Sequence, residues 1–176
     1  MVDHFNTAKS KGQETKAIVF CEYRESVHLV HCLLLQCRPT IRPHMFIGQG
    51  LGSSGSTKEQ TMKPFSQKQQ LRVMKMFREG SCNVLVSTSV GEEGLDVGNV
   101  DLIICFDISN KSPVRLVQRC GRTGRERGGR VVILVTEGKE HQTLRDCIMQ
   151  RDSLNKRVMQ SKELLKNLFT ASPRMI

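Results

Sequence analysis

Two short stretches of this 176-residue chain combine residue types that handle phosphate. The first, Thr88-Ser89-Val90-Gly91-Glu92-Glu93-Gly94-Leu95-Asp96-Val97, follows the apolar run Asn83–Ser87. Its two glycines permit a tight turn with backbone amides directed outward. Thr88 offers a hydroxyl and an amide to a phosphate, and Asp96 offers a carboxylate to a ribose hydroxyl. A plain strand-to-helix turn with Asp96 as a cap accounts for the same residues. The second stretch, Gln118-Arg119-Cys120-Gly121-Arg122-Thr123-Gly124-Arg125, begins twenty-two residues past Asp96. Between Lys111 and Arg130 there are seven cations and one anion, Glu126. Arg122 and Arg125, three apart with small residues around them, can converge on one triphosphate. The planar guanidinium grips phosphate oxygens in pairs and never loses its charge. A solvated basic face that touches nucleic-acid backbone is the alternative.

Composition bounds the rest. Lys and Arg number 27 against 17 Asp and Glu, a net charge of +10, which points to a polyanionic partner, nucleic acid before membrane. With no Trp and one Tyr, aromatic platforms for stacking single-stranded bases are scarce. The seven cysteines are odd in number and form no CxxC pair, which argues against a disulfide framework and a structural zinc site and for a reducing compartment. The five histidines show no metal-ligand spacing with carboxylates, so no metal site is expected. The opening MVDHFNTAKSKGQETK lacks the apolar core of a secretory signal, and no apolar stretch is long enough to span a bilayer.

The elements that must position these residues follow from the pattern. Ala17–Cys21, Met45–Ile47, Asn83–Ser87, Asp101–Phe106 and Arg130–Val135 are short apolar runs that read as strands. Helical spacing marks Arg24–Gln36. The Ser66-x-x-Gln69 capping signal opens a second helix reaching Gly80. Ser112-Pro113 reads as the start of a third, and a polar helix is expected from Glu137 to Asn167. Gly48–Pro64 has no period and reads as a loop. Continuous apolar strands alternating with helices predict an α/β fold, a three-layer open sandwich with a mostly parallel sheet. Ligands of such sheets meet the carboxyl ends of the strands, here the residues after Cys21, Ser87 and Phe106. The expected division is 1–15 as a linker or fragment start, frayed or a helix tail, 16–140 as the sandwich domain and 141–176 as a helical extension.

In this order, Thr88–Val97 and Gln118–Arg125 resemble motifs V and VI of the second RecA-like domain of superfamily 2 helicases. AIVFCEYRES, at Ala17–Ser26, resembles motif IV. VSTSVGEEGLDVGNVDLIICFD with KSPVRLVQRCGRTGRERGGRVVIL is similar to the Fanconi anaemia group M, Mph1 and archaeal Hef branch of DNA translocases. The likeness spans Lys16 to Glu140. It implies a RecA-like helicase C-terminal domain, the second motor domain of an ATP-dependent DNA helicase or translocase that remodels branched DNA in repair, in the nucleus. Arg122 and Arg125 would then be arginine fingers, with Gln118 beside the γ-phosphate. Asp96 would bind the ribose, Gly94 would admit the backbone, and Thr88 and Arg24 would touch the DNA backbone. Many relatives carry an arginine at the position aligned with Gln70, so no contact is transferred to that helix, and the Gly48–Pro64 loop matches no motif.

The chain has no GxxxxGK(S/T) phosphate loop and no DEAD- or DEAH-type Asp-Glu pair, which an ATPase of this kind needs for the phosphates and Mg²⁺. The resemblance therefore places ATP and Mg²⁺ mainly on an N-terminal RecA-like domain of the same protein, and this chain is expected to be inactive alone. Its partners would be that domain, branched DNA and other repair proteins, with no membrane. One alternative is an RNA helicase or double-stranded-RNA sensor of the Dicer and RIG-I-like type, whose motif V also reads xEG(I/L)D but whose motif VI differs. The other is a basic nucleic-acid-binding module without motor function, which has no use for Asp96 together with Arg122 and Arg125.

Overall fold

A strand that is apolar on both faces needs protein on both sides. The computed structural model describes residues 1–48, 65–88, 98–107, 123 and 128–161, and in it five strands share one sheet. They are β1 (Ala17–Phe20), β2 (Pro43–Phe46), β3 (Val84–Ser87), β4 (Leu102–Cys105) and β5 (Arg130–Ile133). Their order is β2-β3-β1-β4-β5 and every neighbouring pair is parallel. Ala17 stands opposite Val84 on one side and Leu102 on the other. β1 and β3 are buried along their whole length, whereas β5, at an edge, is partly exposed.

Side chains alternate across this sheet and sort into two cores. Ile18, Phe20, Leu85, Ile103 and Cys105 face α3 (Gln67–Arg78), which contributes Val73, Met74 and Phe77. Ala17, Val19, Val84, Val86 and Leu102 face the other way. They meet Phe5 from α1 (Val2–Ser10) and Val27 and Val30 from α2 (Arg24–Leu35). Helices on both faces of a parallel sheet make the three-layer sandwich expected from the sequence.

Local signals explain the helix limits. The predicted capping box is built in both directions. Gln69 N donates to Ser66 Oγ at 3.3 Å, and Ser66 N donates to Gln69 Oε1 at 2.8 Å. Such a cap contributes about 1 kcal/mol. α3 ends at Gly80, whose φ of +79° is left-handed and suits glycine. Two cations then satisfy carbonyls at that end: Lys16 Nζ donates to Arg78 O at 2.8 Å and Arg42 Nη2 to Gly80 O at 2.9 Å.

Three elements differ from the sequence expectation. β2 lies at Pro43–Phe46, so the strand takes in the pattern that begins near Arg42 and stops one residue short of Ile47. Proline is tolerated because it opens an edge strand, where its missing N–H breaks no ladder. Residues 2–10, expected as linker, form a helix whose Phe5 is 5% exposed and packs with Met1 and Val2 against the second core. The polar C-terminal helix, α4, runs from Lys139 to Gln160. Of its side chains only Cys147 is buried, and Leu154 and Val158 stand half exposed. The Gly48–Pro64 loop from residue 49 onward, the helix expected from Ser112 and the tail from residue 162 lie outside the described residues.

Candidate functional site

The chain leaves β1 toward β2 on one side, through α2, while β5 lies beyond β4 on the other. Neighbouring strands whose connections part in this way open a crevice at their carboxyl ends. Three chain exits meet there at one level. Cys21 N donates to Ser87 O at 2.8 Å, and Phe106 N donates to Phe20 O at 2.9 Å, so the ladder runs one residue past each strand. Thr88 follows β3 directly, is 8% exposed, and its carbonyl accepts from Ser87 Oγ at 2.8 Å. Arg24 opens α2, and its Nη2 donates to Gly48 O at 3.2 Å, which holds the guanidinium against the exit of β2. Thr88 and Arg24 therefore share the carboxyl edge. Tyr23, at the N-cap of α2, is 64% exposed beside them.

One residue of the arginine-rich stretch is described, and it is anchored elsewhere. Thr123, which stands between Arg122 and Arg125 in sequence, pairs with Val100 in a parallel bridge, and its Oγ1 donates to Val100 O. Val100 comes four residues after Asp96 and two before the first residue of β4. Thr123 is thus held at Val100, at the amino end of β4. At a strand rise of about 3.3 Å per residue, Val100 and Phe106 can stand up to ~20 Å apart. The expectation that ligands meet the carboxyl edge covers Thr88 and Arg24, while Thr123 belongs to the opposite end. Gly94, Asp96, Gln118, Arg122 and Arg125 lie outside the described residues.

Two aspartates absent from the sequence-derived site hold its frame. Asp101 Oδ2 accepts from Lys16 N at 2.9 Å at the amino end of β1, and Asp107 Oδ1 accepts from Glu22 N at the carboxyl end. Asp101 and Asp107 flank β4 six residues apart, and Lys16 and Glu22 flank β1 at the same spacing. That match of lengths is the signal that could have found them.

Other features carry less chemistry. A cavity of about 290 Å³ opens at the amino ends of the strands, lined by Lys9, Glu14, Lys16, Arg42 and Asn83 among others. Lys16 and Arg42 already serve the carbonyls that end α3. Asn83 links two chain segments, accepting from Arg42 N at 2.7 Å and donating to Thr40 O at 2.9 Å. The cavity is thus framed by groups engaged in holding the fold. The described cysteines are free thiols, and burial pushes Cys82 up to about 11, so it stays protonated and unreactive near neutral pH. Among the described residues no group of three His, Cys, Asp or Glu side chains could hold a metal ion, and no helix is long and apolar enough to cross a membrane.

Comparison with known proteins adds the following. The model of the helicase conserved C-terminal domain matches residues 2–127. The chain is 50% identical over 178 residues to the DEAD-box ATP-dependent DNA helicase Fancm of Drosophila melanogaster, covering all of this chain and 11% of that protein. It is 47% identical over 140 residues to the ATP-dependent DNA helicase mph1 of Neurospora crassa, covering 80% of this chain and 11% of that protein. Among solved structures it is similar to the Hef helicase domain of Pyrococcus furiosus, with a TM-score of 0.57 and 34% identity over 82% of this chain and 27% of that one. The chain spans about a tenth of the length of the curated relatives it matches.

Proposed function

The chain belongs to the helicase conserved C-terminal domain family, and from that premise we propose that it is the second motor domain of an ATP-dependent DNA helicase or translocase acting on branched DNA in the nucleus. Relatives named as DNA helicases, at 47% and 50% identity over 80% and 100% of the chain, favour DNA over RNA as the substrate. They also favour a motor over a passive basic module. ATP and Mg²⁺ are held mainly by the N-terminal motor domain. This chain completes the nucleotide site with Asp96 and Gly94 at the ribose side and with Gln118, Arg122 and Arg125 at the γ-phosphate. Thr88 and Arg24 grip the DNA backbone.

The observation that carries this proposal is the separation of the two ends. Thr123 is tied to Val100 at the amino end of β4, and Thr88 and Arg24 stand at the carboxyl edge. One rigid sheet can then address two polyanions at once, nucleotide at one end and DNA at the other. Closure on ATP and release after hydrolysis would move the DNA-gripping edge relative to the other motor domain.

Two outcomes are expected of the purified chain. It should show no ATP turnover with or without DNA, because the phosphate loop and the acidic pair are absent from its sequence. Titration of a labelled fork should show sequence-blind binding with Kd of about 10⁻⁶ M or weaker and an affinity that falls steeply with salt, since phosphate contacts release counterions. Multiple turnovers per second, or salt-independent and sequence-selective binding, would sink the proposal.

A further inference from the structure

The hydrogen bond between Asp107 and Glu22 crosses the crevice between β4 and β1, at the edge where Thr88 and Arg24 stand. Glu22 immediately precedes Tyr23 and Arg24, the N-cap and first residue of α2. Tyr23 makes no capping hydrogen bond with its side chain, and its backbone is extended at φ −108° and ψ 148°. The turn from β1 into α2 is thus set by its backbone partners, and the carboxylate of Asp107 is one of them. Asp107 is also the last described residue before the segment that carries Gln118, Arg122 and Arg125 in sequence.

We propose that Asp107 is a positioning residue that holds the Glu22–Arg24 turn in register with the carboxyl end of β4, so that Arg24 is presented to the DNA backbone. The assignment of DNA to this edge rests on the function proposed above. A carboxylate accepting from a backbone N–H makes a charge-assisted bond, stronger than a bond between neutral groups. The molecule carries its own control. Asp101 makes the equivalent bond to Lys16 N at the opposite end of the same two strands, far from Arg24. A role in sheet stability alone would make the two aspartates interchangeable. A role in presenting Arg24 belongs to Asp107 only.

The test uses the 176-residue chain in five forms: unchanged, Asp107→Ala, Asp107→Asn, Asp101→Ala and Arg24→Ala. Amide hydrogen exchange is followed at Glu22 and Lys16, and a labelled fork is titrated at low salt. Asp107→Ala should speed exchange at Glu22 by about tenfold or more, because a hydrogen bond to a charged group is lost. It should weaken fork binding by about threefold or more, since a phosphate contact that is no longer held in place loses its ordering advantage. Asp107→Asn keeps an Oδ1 acceptor and should restore both. Asp101→Ala should speed exchange at Lys16 and leave fork binding unchanged. The sole tyrosine in a chain without tryptophan gives a further readout, because Tyr23 fluorescence anisotropy should fall only in Asp107→Ala. Unchanged exchange at Glu22 overturns the proposal directly, as does equal loss of fork binding in Asp107→Ala and Asp101→Ala. If exchange at Glu22 responds but neither Asp107→Ala nor Arg24→Ala alters fork binding, the proposal falls together with the assignment of DNA to this edge.

Discussion

In a protein carrying both motor domains, Arg125→Ala is expected to cut ATP turnover by about 10³-fold or more while DNA affinity without nucleotide stays within about twofold; arginine fingers in phosphoryl transfer are worth roughly 10³–10⁵. Arg122→Ala should behave in the same way. The charge these guanidinium groups oppose develops on the transferring phosphoryl group, so their loss falls on the chemical step more than on ground-state ATP binding. Thr123, between them in sequence, is anchored to Val100 at the amino end of β4, opposite the edge that carries Arg24 and Thr88. Thr88→Ala should show the opposite bias, with its main loss in DNA stimulation. The measurement is steady-state ATPase over a DNA titration, beside nucleotide-free DNA binding by fluorescence anisotropy. If Arg125→Ala weakened nucleotide-free DNA binding as much as turnover, the cluster would be a DNA patch and not a nucleotide site.

The largest effect on stability is expected from Phe77→Ala. Phe77 is fully buried and closes α3 over Ile18, Phe20, Leu85 and Ile103. The ammonium of Lys16 lies 5.6 Å from its ring centroid, so the ring also meets a cation that serves the end of the same helix. Removing a buried aromatic ring costs about 3–5 kcal/mol, the lost transfer energy plus the cavity left behind. For a chain of this size that lowers Tm by roughly 6–20 °C. Leu71 sits on the same helix but is 62% exposed, and Leu71→Ala should stay within about 0.5 kcal/mol. Urea unfolding of both variants checks the contrast. A cost for Phe77→Ala near that of Leu71→Ala would mean that α3 is not packed on the sheet as described.

The fold was legible because its signals are local or periodic. Ala17–Phe20, Val84–Ser87 and Leu102–Cys105 are apolar on both faces, which only a covered parallel sheet explains, and Ser66 with Gln69 announces the start of α3 three residues apart. β2 was harder, because His44 and Pro43 dilute its run and edge strands tolerate both. α1 was open between a frayed start and a helix tail because a single buried aromatic, Phe5, carries it among polar neighbours. The helix exists through that contact more than through propensity. At the site, Thr88 and Arg24 could be named from motif likeness, and they stand at the edge that topology favours. The bonds from Lys16 to Asp101 and from Glu22 to Asp107 each join residues 85 apart. Nothing local in either partner says which backbone amide an aspartate will accept from. The partner is chosen by strand order, which places β4 beside β1.

That strand order also governs how the chain is made. β1 is the central strand and precedes the other four of this sheet in sequence, yet its neighbours are β3 and β4, with Ala17 paired to Val84 and Leu102. At about 5–20 residues per second, roughly 3–17 s of synthesis separate Ala17 from those partners. During that interval Ala-Ile-Val-Phe-Cys is an apolar segment with no ladder on either side and no later helix to cover its α3 face. Closing loops of this length must precede any gain from pairing, so the sheet forms late and in one step. Until residues 84–87 and 102–105 have emerged, the apolar segment 17–21 stands without its ladder partners.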